Sequence, residues 1–314
     1  IGRVGQGSMS KVWRAIDGNT GRTVALKLLD IEKTKRLESR FKGIKSRKPT
    51  EGEVAVLLKH PHIVQTYEYG ITTKNEQYLV MEFVEGVSLS YLIDVQNDIM
   101  LRNRLRFMVE LGEAIEYFHR QNWIHRDICP RNVILDSEYS IKLIDFGLVV
   151  PNTPEFQAPG NRTGTANYMA PELIKRQRTD QRIDIFSFAV TCYEMFAKRL
   201  PWEAAETLDA VVQHINTPPD DLRVYAPEID PRISDTIMKG LAIEPRDRWQ
   251  TMGTMLEPFR AIRAGATKPA ASSTTPASPR PTPCACKPPL PACATPALRP
   301  VRSRPPASAS LKVG

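Results

Sequence analysis

His125-Arg126-Asp127-Ile128-Cys129-Pro130-Arg131-Asn132, followed by Ile144-Asp145-Phe146-Gly147, sets two aspartates and an asparagine in one short span of the chain. Asp127 is the candidate base, a carboxylate able to accept a hydroxyl proton and to aim the oxygen for in-line attack. Asn132 offers a neutral amide oxygen to Mg²⁺, and Asp145 an anionic oxygen to the ion that bridges nucleotide phosphates. An isolated Asp-Phe-Gly is usually only a turn. At roughly one chance in twenty per fixed position, seven fixed residues in this order are not a coincidence of composition.

Upstream, Val4-Gly5-Gln6-Gly7-Ser8-Met9-Ser10-Lys11-Val12 is a glycine-rich loop between two β runs, where backbone N–H groups can approach phosphate oxygens. A dinucleotide fold is disfavoured, because that loop would open a helix whereas Lys11 to Ile16 alternates like a strand. One hairpin later, Val24-Ala25-Leu26-Lys27 sets a lysine among apolar neighbours, where it needs an anionic partner. Glu51, nine residues before His60, is the candidate carboxylate; Glu53 competes, since Pro49 and Gly52 both weaken a helix there. His60-Pro61-His62 reads as a turn rather than a zinc pair, because no Cys or carboxylate pattern accompanies it.

The 314 residues are 41% apolar and lack the ~18 uninterrupted apolar residues of a membrane span. Opening at Ile1 rather than Met leaves room for a preceding segment or a membrane tether outside this stretch. The net charge of +8 is a tail property: residues 264–314 hold seven basic and no acidic residues, against 36 basic and 35 acidic before them. A nearly neutral globular part argues against a nucleic-acid footprint. Five scattered cysteines fit a reducing, cytoplasmic setting rather than a disulfide framework.

Residues 264–314 also carry twelve of the twenty-six prolines and no aromatic residue, the composition of a disordered linker or tail. Lys287-Pro288-Pro289-Leu290-Pro291 could dock with a reader of Pro-rich motifs. Before it, β runs are expected at Val4 to Ile16, Thr23 to Leu29, Ile63 to Tyr69 and Gln77 to Phe83, with one charged helix near Glu51 to Leu58. Helical periodicity then marks Arg102 to His119, Asp184 to Ala197 and Ile233 to Leu241. The expected fold is α+β and bilobal: a β-rich small lobe over residues 1–84, a helical large lobe over 85–263, and the site at their junction.

On these motifs the chain, from Val4 to about Arg260, resembles the serine/threonine protein kinases of bacteria. The resemblance implies ATP and Mg²⁺ as cofactors and protein hydroxyls as substrates. In Tyr78-Leu79-Val80-Met81-Glu82-Phe83-Val84 it makes Met81 the gatekeeper and brings the Glu82 and Val84 backbones to adenine. Val12, Ala25 and Ile134 join the nucleotide-binding set with the loop residues Val4 to Ser10. Gly164-Thr165-Ala166-Asn167-Tyr168-Met169-Ala170-Pro171-Glu172 resembles the peptide-binding loop, with Thr165 bonding to Asp127. Asp184 would hold the catalytic-loop backbone, and Arg248 would pair with Glu172.

Two departures matter. Cys129 stands where serine/threonine kinases place a lysine near the transferring phosphate. A cation ~4 Å from developing charge contributes about 4 kcal/mol at an effective dielectric of 20, and a thiol offers little of that. Arg131, two positions on, is the candidate replacement. Arg126, directly before Asp127, implies switching by loop phosphorylation, yet only Thr153 and Thr163 carry hydroxyls between Gly147 and Thr165. Thr163 is the preferred site. The alternatives are a pseudokinase that binds ATP as a scaffold, and a phosphotransferase for a small hydroxyl compound, which would lack the Gly164 to Glu172 element.

Overall fold

A computed structural model of the chain describes residues 2–6, 10–41, 46–160, 162–202 and 216–266. The small lobe is a five-stranded antiparallel sheet of β1 (Gly2–Gln6), β2 (Ser10–Ile16), β3 (Thr23–Leu29), β4 (Thr66–Ile71) and β5 (Gln77–Glu82), in the order β1-β2-β3-β5-β4. Val24, Ala25, Leu29 and Leu79 are buried, and Lys27 is buried with them. The register sets Val12 opposite Lys27 and Ala25 opposite Met81, so residues expected to face a nucleotide share neighbouring rungs.

In the small lobe, three elements differ from the expectation. The run read as a strand from Ile63 joins the sheet only at Thr66. Its first part crosses to the large lobe instead: Leu143 N donates to His62 O at 2.9 Å and Val64 N to Leu143 O at 3.0 Å. A helix not foreseen, α1 (Ile31–Ser39), starts on the Asp30 cap and buries only Leu37. The helix read as Glu51 to Leu58 is α2 (Glu51–Ala55), opened by a reciprocal cap between Thr50 and Glu53. It tightens into i→i+3 bonds, from Leu57 N to Val54 O and Leu58 N to Ala55 O. Gly52 is the residue that allows Tyr69 to pack here, since a Cβ would lie 2.6 Å from its ring.

The large lobe begins with β6 (Gly86–Ser88), α3 (Leu89–Val95) and α4 (Asp98–Arg120), the last capped by Asn97. Phe107, Met108, Leu111, Ala114, Ile115 and Phe118 give α4 its buried stripe at helical spacing. After β7 (Trp123–Ile124), strands β8 (Val133–Asp136) and β9 (Ile141–Leu143) join β6 in the order β6-β8-β9, and β10 (Val150–Pro151) pairs with β7. The remaining helices are α5 (Pro171–Ile174), α6 (Arg182–Ala197), α7 (Leu222–Tyr225), α8 (Pro231–Gly240) and α9 (Met252–Ala266). Twelve of the sixteen residues of α6 are buried, from Ile183 through Met195, so it forms the axis of the lobe. No described helix is long and apolar enough to cross a membrane. The Pro-rich tail beyond residue 266 lies outside the described residues.

Candidate active site

The catalytic loop follows β7 and hangs on one carboxylate. Asp184, fully buried at the start of α6, accepts from His125 N and Arg126 N at 2.8 Å each and lies 3.0 Å from His119 Nε2. Burial alone would raise its pKa, but the His119 and His125 contacts hold it below the usual carboxylate range. Arg126 adopts φ 70°, a left-handed backbone that a non-glycine residue keeps only when its neighbours over-determine it. The anchored loop then presents Asp127.

Asp127 has both oxygens oriented. Thr165 N and Thr165 Oγ1 each donate to Oδ1 at 2.8 Å, and Asn132 Nδ2 donates to Oδ2 at 3.0 Å and to the Asp127 carbonyl at 2.9 Å. Asn132 uses its amide nitrogen twice, which leaves the side-chain oxygen as the atom for a cation. Its own carbonyl accepts from Ile144 N at 2.8 Å, and that bond brings Asp145 alongside.

Across the cleft, Lys27 Nζ donates to Glu51 Oε1 at 2.5 Å and to Asp145 Oδ1 at 2.9 Å. Burial would lower the Lys27 ammonium, but the charges of Asp145 and Glu51 overturn this and hold it above the usual lysine range. Asp145 moves the other way: burial would raise it, and Lys27 keeps it low and ionised. Glu51 Oε1 also accepts from Phe146 N at 3.3 Å, while the Phe146 ring is buried 5.6 Å from Phe118 and 6.1 Å from His125. The competitor Glu53 points elsewhere, bonding Arg47 at 2.6 Å and the Thr50 cap.

Between the lobes lies a cavity of roughly 750 Å³, the size of a small-molecule site. Val12, Ala25 and Ile134 line it with Met81, Glu82 and Val84 of the hinge. Glu82 is fixed by Gln65 N at 3.1 Å and Lys142 Nζ at 3.1 Å, two partners that no local sequence pattern marks. Ser10 borders the cavity too; the backbone of Val4, Gly5 and Gln6 lies on β1, and Gly7, Ser8 and Met9 lie outside the described residues. The oxygens of Asn132 and Asp145 are hard donors on this cavity, and the Asp145 side chain stays 42% exposed, a set that fits Mg²⁺.

The departures take definite places. Cys129 is buried, with Sγ 3.8 Å from Thr165 Oγ1, and burial beside Asp127 pushes its thiol up to about 11, so it is neutral. Arg131 stands exposed on the cavity rim, its charge facing Glu194 and Tyr168. Thr163 is only 6% exposed, and its hydroxyl has no hydrogen-bond partner among the described residues. In this arrangement it is sealed from an incoming kinase. Burial lowers the Arg126 guanidinium to about 10.

Glu172 and Arg248 meet in a bidentate pair, at 2.8 and 2.7 Å, and Arg248 also donates to the carbonyls of Ala242 and Ile243. His62 Nδ1 lies 3.2 Å from the Ile141 carbonyl, inside the turn before β4.

Comparisons with known proteins show the family of the chain. A family model described as "Protein kinase domain" matches residues 1–259. A probable serine/threonine-protein kinase of Streptomyces coelicolor, SCO3848, is 31% identical over 270 residues, covering 83% of this chain and 39% of that protein. The serine/threonine-protein kinase PknA of Mycobacterium tuberculosis is 30% identical over 277 residues, covering 86% of this chain and 62% of that protein. The chain thus spans less than two thirds of the length of these relatives.

Proposed function

Because the chain belongs to the protein kinase domain family, we propose that it transfers the γ-phosphoryl group of ATP to serine or threonine hydroxyls of protein substrates, with residues 1–263 as the catalytic domain. The observation that carries this reading is the double alignment of Asp127, by Thr165 and by Asn132, opposite a closed Lys27–Glu51 pair.

In this reading the adenine lies against Met81 and the hinge backbone of Glu82 and Val84, walled by Val12, Ala25 and Ile134. Lys27, kept protonated, takes the phosphates. Mg²⁺, held by Asn132 and Asp145, would neutralise charge on the phosphate oxygens. Asp127 Oδ2 receives the substrate hydroxyl, aims its oxygen for in-line attack and takes up the proton. Thr165 keeps Oδ1 fixed while the substrate backbone lies along Gly164 to Glu172. Arg131 supplies cationic charge that the neutral Cys129 cannot.

The pseudokinase reading rests on Cys129 alone, since Lys27, Asp127, Asn132 and Asp145 are the residue types that transfer needs. The test is phosphate transfer from labelled ATP to a generic protein, comparing the wild-type chain with Asp127→Asn and Lys27→Met. ATP binding without turnover by the wild-type chain would overturn the proposal.

A further inference from the structure

Phe41, Ser46 and Lys48, between α1 and α2, lie against the stretch that follows Asp145. Lys48 Nζ donates to the Pro49 carbonyl at 3.3 Å and to the Gly147 carbonyl at 3.5 Å. The Phe41 ring lies 5.8 Å from that ammonium and packs against Phe156 at 6.0 Å, while Ser46 Oγ donates to Glu155. Lys48 lines a second, smaller cavity of about 80 Å³ whose walls include Lys27, Glu51, Asp127 and Asp145. A half-buried ammonium from the small lobe therefore stands beside the reacting groups, outside the set that holds the phosphates.

The charges that act on it come from three elements: Glu51 on α2, Glu38 on α1 and Arg126 on the catalytic loop. Burial pushes Lys48 down to about 8; Glu51 and Glu38 oppose that, and Arg126 adds to it. The turn it touches is strained, with Asp145 at φ 69°. A non-glycine residue stays in that region only when the surroundings hold it there.

We propose that Lys48 is a positioning residue for phosphoryl transfer: by tying the Gly147 carbonyl to the start of α2 it fixes the Asp-Phe-Gly turn, and through it Asp145, against the Lys27–Glu51 pair. This rests on the kinase reading of the same site. The bland alternative is that the lysine stem simply packs on Phe41, and a methionine would keep that packing while removing the charge.

The test uses the full chain as wild type, Lys48→Met and Lys48→Arg, with two readouts: steady-state phosphate transfer, and hydrogen exchange of the amides from Phe146 to Val149. Loss of one charge-assisted bond is expected to lower kcat about 10-fold in Lys48→Met and to speed exchange of those amides by a similar factor, with KM for the protein substrate unchanged. Lys48→Arg restores both. Wild-type exchange and kcat in Lys48→Met would overturn the proposal, and so would an arginine variant as damaged as the methionine one, which marks packing alone. If the wild-type chain transfers no phosphate, the kinase reading fails and the exchange measurement still decides the role of Lys48: unchanged protection in Lys48→Met sinks it.

Discussion

The amide and the hydroxyl of Thr165 both donate to the same oxygen of Asp127, each at 2.8 Å. Two loops that lie far apart in sequence therefore share one carboxylate oxygen. Asp127 Oδ1 is held from the Gly164 to Glu172 loop, while Asn132 holds Oδ2. Gly164 makes that close approach possible: its φ is 140°, and a Cβ there would lie 2.8 Å from the Arg126 carbonyl. Through Oδ1 the orientation of the candidate base is linked to the platform for a peptide.

Thr165→Val tests that link by removing the hydroxyl bond and sparing the amide one. A hydrogen bond to a charged group contributes about 1.5–3 kcal/mol, so kcat should fall roughly 10- to 100-fold. KM for ATP should hold within about twofold, because Thr165 bonds the base and not the nucleotide. Steady-state kinetics with ATP varied separates the two.

Cys129 should be inert. With the thiol raised to about 11, the thiolate is roughly a thousandth of the population at pH 8 and grows only as pH rises toward 11. Alkylation of the native chain at pH 8, read by peptide mass mapping, should leave Cys129 unmodified until denaturant exposes it. We propose that Arg131 supplies the charge Cys129 lacks. Arg131→Ala should cost about 10-fold in kcat, less than the full Coulomb value because the guanidinium is exposed and screened. Unchanged transfer would remove Arg131 from the mechanism.

Arg248→Met should destabilise the fold by about 3–5 kcal/mol, the range for a buried pair that loses one partner. Glu172 would be left charged in a site where it is 3% exposed. Denaturant melts of the two proteins measure this, and the loss should exceed that of Arg232→Met, whose partner Asp230 lies on an exposed face.

Glu51 and Glu53 should part company. Glu51→Gln removes the charge that meets Lys27 at 2.5 Å and should lower transfer by about 100-fold or more, since a buried charge pair costs about 3–5 kcal/mol to break. Glu53→Gln weakens a helix cap and an exposed bond to Arg47, about 0.5–2 kcal/mol of stability with near-normal transfer. Parallel activity and melting measurements on both variants decide it.

The sequence exposed most of this site because its chemistry needs fixed residue types at fixed spacings. Asp127, Asn132 and Asp145 lie within 18 residues, and their order alone suggests their grouping. Glu172 and Arg248 were legible as a pair only through the resemblance, since 76 residues separate them. What escaped had weak local signals. In α1 a charged sequence buries a single leucine, too little for an apolar stripe. The alternation from Ile63 looked like a strand, but backbone bonds of His62 and Val64 go to Leu143, a tertiary choice that no local pattern records. Lys48 is one cation among many in a basic stretch, and only the fold brings it to Gly147.

In the proposed mechanism Asp127 acts on the hydroxyl while the rest of the cleft holds the nucleotide. The most direct measurement is single-turnover transfer from Mg²⁺·ATP by wild type and Asp127→Asn, with nucleotide affinity measured on the same samples. Asp127→Asn should bind ATP like wild type and transfer at least about 100-fold more slowly, and the wild-type product should be phosphoserine or phosphothreonine. Equal transfer rates for the two proteins would contradict this mechanism.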